Sequence, residues 1–160
     1  MMTMYPTINV ALDDGAFLPE RAHNTDAGAD IRTPTDVTVP RAERHANDSV
    51  VVGCATVHTG VHVELPETTV GMLKSKSGLN VKHGIIGEGV IDQGYDGEIV
   101  VKLYNLGQKD VTLPKGSKII QLCIMPVLYP TYRQVESIKA GERGSNGFGS
   151  TETITGGDRL

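Results

Sequence analysis

The chain has 160 residues, 39% of them hydrophobic and 21% charged, with a formal net charge of −4. That length fits one domain able to bury a core, and that composition excludes a chain disordered throughout. The acidic balance argues against wrapping a long nucleic acid, which needs a basic face, and no apolar run approaches a membrane span, so neither partner is expected.

The opening "MMTMYPTINV" has no basic region followed by a long apolar run, so it does not read as a secretory leader. In "NTDAGADI", Asp26 and Asp30 flank a glycine, the pattern of a turn leading into a strand. "RAERHANDS", 41–49, is polar and aperiodic and reads as a surface loop or insertion. Cys54 and Cys123 each lie in a hydrophobic stretch without metal spacing. They are expected to be buried free thiols, which points to a reducing compartment and a cytoplasmic protein. In "TGVHVELP", Val61, Val63 and Leu65 alternate with His62 and Glu64, the period of a half-buried strand. His58 and His62 invite a metal reading, but four residues along one strand separates them by roughly 13 Å, too far to share an ion.

"TVGML", "GEIVVKLYN" and "KIIQLCIMPV" are further strands, rich in β-branched residues and separated by short turns such as "PKG" at Pro114 to Gly116. No helical period runs longer than about two turns. The expectation is an all-β sandwich, jelly roll or barrel. "KSKSGLNVKHG", 74–84, breaks the rhythm and reads as basic, hydroxyl-rich and able to include a helical turn. There Lys76, Ser77 and the backbone at Gly78 could cradle a phosphate, although a solvated basic turn would have the same composition. In "GEGVIDQGYDGE", Asp92 and Tyr95 stand at a glycine-rich bend. An ordinary hairpin turn would look like this, and so would a carboxylate base on a water beside an aromatic wall.

From Ser137 onward the chain turns Gly-rich and polar, so 1–136 reads as a β domain and 137–160 as a flexible arm. In "ERGSNGFGSTE", Arg143 offers a fork of donors, Ser145, Ser150 and Thr151 offer hydroxyls, and Gly144, Gly147 and Gly149 let a backbone wrap an anion. Phe148 is a lone aromatic in a segment with too little apolar surface for a core strand.

Taken in order, "AGADI", "SKSGL", "GVIDQGYDGEI", "GSKIIQL" and "RGSNGFGST" resemble the five motifs of the homotrimeric dUTPase family (deoxyuridine triphosphate nucleotidohydrolases), spanning Ala27 to Thr151. The resemblance implies a jelly-roll subunit, three of which form active sites at their interfaces, with each arm closing over a neighbour's site. It implies hydrolysis of dUTP to dUMP and pyrophosphate, with Asp92 activating a water for in-line attack on the α-phosphorus. Uracil would be read by main-chain groups of a hairpin between Ile85 and Ile91, including Gly89 and Val90, and Tyr95 would lie under the deoxyribose and exclude a 2′-hydroxyl. Lys76, Ser77, Gly78, Gln121, Arg143, Gly149, Ser150 and Thr151 would meet phosphates, Phe148 would stack on uracil, and Asp30 would support the site. Mg²⁺ is expected on the triphosphate, with no direct protein ligand.

The chain departs from the family pattern in places. Ala29 stands where an aromatic is common, Lys76 where arginine is usual, Gly94 where many members carry a second acid, and Asp96 where many carry a basic residue. Glu88 falls in the uracil segment, where its carboxylate must point outward. Two rivals share the fold. One is a dCTP deaminase or bifunctional relative, which "SKSGLN" fits poorly. The other is a protein-binding regulator, for which the 41–49 insert would be the surface for a regulatory protein partner.

Overall fold

A computed structural model describes residues 7–139. The strands, in chain order, are β1 (Asn9–Leu12), β2 (Gly28–Arg32), β3 (Val37–Val39), β4 (Glu43–Arg44), β5 (Val50–Val51), β6 (Gly53–His58), β7 (Val61–Glu64), β8 (Thr69–Ser75), β9 (Ile85–Ile86), β10 (Gly89–Ile91), β11 (Val100–Asn105), β12 (Val111–Leu113) and β13 (Lys118–Pro126). One short helix, α1 (Ser77–His83), sits between β8 and β9. The all-β, jelly-roll-like expectation therefore holds.

Two sheets form the wall. One has the order β10-β8-β13-β2 and the other β6-β11-β9, with pairs β1-β7, β12-β3 and β4-β5 beside them. Their inward positions meet in one cluster that includes Ile31, Val57, Leu73, Ile85, Ile91, Val101, Leu103, Ile120 and Leu122. β11 shows the rule, with Val101, Leu103 and Asn105 inside and Val100, Lys102 and Tyr104 outside. Asn105 is the polar exception, and it is satisfied. Its amide donates to the carbonyls of Val39 (3.0 Å) and Lys109 (2.9 Å) and its oxygen accepts from the Gly107 N–H (2.8 Å).

Four expectations are corrected. Cys54 is exposed and Cys123 only half-buried. The strand period places Val57 inward on β6, so Cys54 and His58 face out whatever their apolar neighbours. The 41–49 segment is exposed as expected but is not wholly a loop, since Glu43 and Arg44 pair with Val51 and Val50. His58 and His62 do not share a strand, because the chain turns at Thr59 and Gly60 between β6 and β7. Nor do Ile85 and Ile91 belong to one hairpin. β9 pairs with β11 and β10 pairs with β8, so 85–91 crosses from one sheet to the other.

The chain divides after Tyr129. In the second unit, 130–139 carries no strand or helix, and Tyr132 and Ile138 are 93% and 89% exposed. Arg143, Phe148, Gly149, Ser150 and Thr151 lie outside the described residues. Among the described residues no helix is long and apolar enough to cross a membrane.

Candidate active site

β10 carries the first group of residues. Gly89 faces Leu73 and Ile91 faces Gly71 across the ladder with β8, and the Ile91 side chain is buried in the core. Ile91 can therefore meet a ligand only through its backbone, whereas Val90 points outward and is exposed. β10 is the edge of its sheet, so part of its main-chain donors and acceptors lack a strand partner among the described residues. Glu88 points away as expected, accepting the Lys74 ammonium at 2.7 Å.

The chain then bends at Asp92. The Tyr95 N–H donates to the Asp92 carbonyl (3.1 Å), and Gly94 at φ 84° occupies the position where such a turn favours glycine. The Asp92 carboxylate is left exposed. Tyr95 is 47% exposed, and its hydroxyl donates to the Glu98 carbonyl at 2.9 Å. The ring lies against Gly97, where an added Cβ would sit 2.4 Å from the Tyr95 hydroxyl oxygen. Gln93, which sequence reasoning missed, braces the turn. Its side-chain oxygen accepts from the Thr68 N–H (3.0 Å) and the Tyr129 hydroxyl (3.1 Å). Thr68 itself is held at φ 57°. Only the position of Gln93 beside Asp92 could have signalled this.

A second group gathers where β8, β13 and β2 run side by side. Asp30 is only 3% exposed yet charged, and it accepts hydrogen bonds from the ammonium groups of Lys76 and, at 2.8 Å, Lys118. Burial pushes its carboxyl up, but the bonds and charges of Lys118 and Lys76 outweigh that and hold it below the usual aspartate value. Lys118 was not singled out in the sequence, although it lies within "GSKIIQL". A register shift between Lys118 and Ile120 accompanies its position beside β2. Gln121 lies opposite Asp30 and donates to the Ser75 carbonyl at 3.1 Å.

Lys76 is the N-cap of α1 and supplies no side-chain cap, so first-turn N–H groups at Ser77 and Gly78 have no capping partner. A Cβ at Gly78 would meet nothing within 4 Å, which leaves the backbone open to an anion. Ser77 is exposed beside it.

The two groups do not meet within one chain. Ile91, just before Asp92, faces Gly71, and Lys76 lies five residues further on, immediately past the end of β8. At the rise of an extended strand that is about 17 Å.

Comparison with known proteins identifies the family. The family model described as dUTPase matches residues 14–152. The deoxyuridine 5'-triphosphate nucleotidohydrolase of Clostridium acetobutylicum is 38% identical over 143 residues, covering 88% of this chain and 92% of the relative. The Rattus norvegicus protein of that name is 37% identical, covering 89% of this chain and 65% of its own. Among solved structures, a mutant dUTPase of Staphylococcus bacteriophage 80alpha with dUpNHpp superposes with TM-score 0.79 at 29% identity, covering 93% of this chain and all of that one. A mutant dUTPase of S. aureus phage phi11, described for its coordination of a structural Mg(II) ion, has TM-score 0.70 at 28% identity, covering 84% of this chain and all of that one. With the matched region running through both residue groups, the chain belongs to the dUTPase family.

Proposed function

We propose that this chain is a dUTP diphosphatase that hydrolyses dUTP to dUMP and pyrophosphate. The observation that carries the reading is the turn at 92–95, which sets an exposed carboxylate between an open strand edge and an aromatic platform. The edge of β10 suits a planar base read by main-chain groups, and the Tyr95 ring suits the face of a sugar without a 2′-hydroxyl. Asp92 accepts a proton from a water that attacks the α-phosphorus in line, and a positioned base of this kind contributes roughly 10²–10⁴ in rate. Ser77, Gly78 and Gln121 hold phosphate oxygens, and Asp30 acts through Lys76 and Lys118 by fixing two ammonium groups beside them. Each charge-assisted bond to phosphate contributes about 1.5–3 kcal/mol. Arg143, Ser150 and Thr151 add phosphate contacts, Gly149 allows close approach, and Phe148 stacks on the base.

Mg²⁺ fits this site when carried on the triphosphate. Asp30 has its two oxygens taken by lysines, and among the described residues no three acidic, His or Cys side chains gather as a metal site. Carried by the triphosphate, it would supply neutralisation of the charge that builds up during attack.

The assembly is a homotrimer with shared sites. The separation of about 17 Å along β8 supports this, because a water held by Asp92 must lie about 3–3.5 Å from the α-phosphorus, and two further phosphates extend only a few ångströms beyond. One chain's Asp92 is therefore served by another chain's Lys76 and Ser77. The exposed Leu128, Tyr132 and Ile138 agree with a chain end that covers its apolar side chains on a second copy. The free thiols agree with a reducing cytoplasm.

A second reading, a regulatory protein partner in addition to catalysis, is favoured by the exposed Val50, Val51 and Val52 at the β4–β5 hairpin. Deleting 43–51 would abolish such binding and spare hydrolysis. The test of the main reading is pyrophosphate release with Mg²⁺ from dUTP, dCTP, dTTP and UTP side by side. Turnover of dUTP alone to dUMP is expected. Conversion of dCTP points to a deaminase, and silence on all four refutes the enzyme.

A further inference from the structure

The bend that carries Tyr95 runs between two anchors, Ile91 and Ile99, both buried in the core. Between them 92–98 is largely exposed, so the ring's position depends on the polar contacts that tie the bend down. Two are internal, from the Tyr95 N–H to Asp92 and from its hydroxyl to Glu98. The others come from outside the bend: Gln93 accepts from Thr68 and Tyr129, Glu98 meets Gly60 and His58, and at Asp96, next to Tyr95, His62 on β7 places its Nδ1 2.9 Å from the carbonyl.

The other ring nitrogen, Nε2, faces the Asp13 carboxylate at 3.4 Å. A carbonyl oxygen can only accept, and so can an ionised carboxylate. A neutral imidazole carries one N–H and can satisfy one of the two, whereas an imidazolium satisfies both. Asp13 is itself held, its N–H donating to the Gly60 carbonyl at 2.9 Å. Glu98 closes the same patch by accepting the Gly60 N–H (2.8 Å) and facing His58 Nδ1 (2.9 Å).

We propose that His62, as an imidazolium bridging Asp13 and the Asp96 carbonyl, is a positioning residue that fixes the Tyr95 platform, so that discrimination against ribose weakens when His62 loses its proton. The inference rests on the dUTP diphosphatase reading and on Tyr95 as the sugar platform. The ionisable groups acting on His62 are Asp13, just past β1, and Glu98 from the bend; Asp96 meets it through its backbone carbonyl, and Glu64, two residues along β7, is engaged with Asn9. His58 is held by Glu98. The balance favours the cation, and the Asp96 carbonyl, then Asp13, raise the His62 pKa above its ordinary 6.5. The bridge is therefore complete below about 6.5 and is lost as pH rises through the higher folded value.

The experiment measures kcat/KM for dUTP and for UTP from about pH 6 to about pH 9 in the wild type, His62→Gln and Asp13→Asn. The ratio of the two cancels titration of the triphosphate and the uracil ring, which both substrates share. The wild-type preference for dUTP is expected to fall about 3- to 10-fold with rising pH, the worth of one hydrogen bond. His62→Gln, whose donors sit on a single nitrogen and which does not titrate, should give a flat and lowered ratio. Asp13→Asn should move the fall to lower pH, and it covers the case in which His62→Gln folds poorly. A wild-type ratio independent of pH, or a wild-type profile retained by both variants, overturns the inference while leaving dUTP hydrolysis standing. Absence of dUTP hydrolysis at every pH instead sinks the underlying function and the inference with it.

Discussion

Gly97→Ala separates the platform from the fold. The added Cβ would lie 2.4 Å from the Tyr95 hydroxyl oxygen, 2.5 Å from Cζ and 2.9 Å from Cε2. Carbon contacts settle near 3.5–4.0 Å, so the ring must retreat by roughly 1 Å and the hydroxyl must leave the Glu98 carbonyl. Gly97 is not among the glycines at positive φ, so alanine introduces no backbone strain there. The stability cost is thus one exposed hydrogen bond, about 0.5–1.5 kcal/mol, which for a chain of this size shifts Tm by about 2–6 °C. The catalytic cost is larger, because a 1 Å misplacement costs about 10²-fold. Steady-state kinetics on dUTP and UTP, with thermal melting alongside, should show kcat/KM for dUTP down about 10- to 100-fold, a narrower dUTP/UTP ratio and a Tm lowered by no more than about 6 °C. Wild-type kinetics would refute the placement of Tyr95 under the sugar, and a Tm loss beyond about 10 °C would make Gly97 a core position instead.

Asp92→Asn should abolish turnover and leave affinity for a non-hydrolysable dUTP analogue within about tenfold, since the base acts on the water and not on binding; calorimetry beside a turnover assay checks both. Asp30→Asn should lower kcat/KM by loosening Lys76 and Lys118, with the conservative change keeping the fold. It should also flatten the acid limb of stability: a carboxyl held below its ordinary 3.8 stabilises the fold above that pH and loses the contribution as pH falls through the lower folded value. Melting curves from about pH 3 to about pH 7 read this directly. Phe148→Ala, outside the described residues, should weaken productive dUTP binding and leave the ligand-free Tm unchanged; a drop of several degrees would make it a packing residue.

The strands were legible because alternation is a local signal, and Val61, Val63 and Leu65 lie inward as their period requires. What failed was what period alone cannot settle. The apolar neighbours of Cys54 suggest burial, yet its parity on β6 faces it outward. The family resemblance implies a hairpin over 85–91, but pairing is decided by β8 and β11, which are distant in sequence. Gln93, Lys118 and His62 escaped as site residues for the same reason. Each acts on a neighbour brought to it by tertiary contact, 25 residues away for Thr68 and 34 for Asp96.

If Asp92 and Lys76 serve one triphosphate from different chains, two defective proteins should repair each other. Asp92→Asn lacks the base but keeps an intact phosphate cradle, and Lys76→Ala keeps the base but loses the cradle's ammonium. Mixed and reassembled at equal amounts, the subunits combine at random, and about one site in four draws an intact Asp92 from one subunit and an intact Lys76 from another. Activity near a quarter of wild type is therefore expected after reassembly, from parents that are each nearly inactive. Within a single chain about 17 Å of extended backbone separates Lys76 from Gly71, which faces Ile91 beside Asp92, so a site built from one chain could never escape its own defect. A mixture no more active than its parents, with exchange verified by mass, would return the whole site to one chain and require β8 to bend the two groups together.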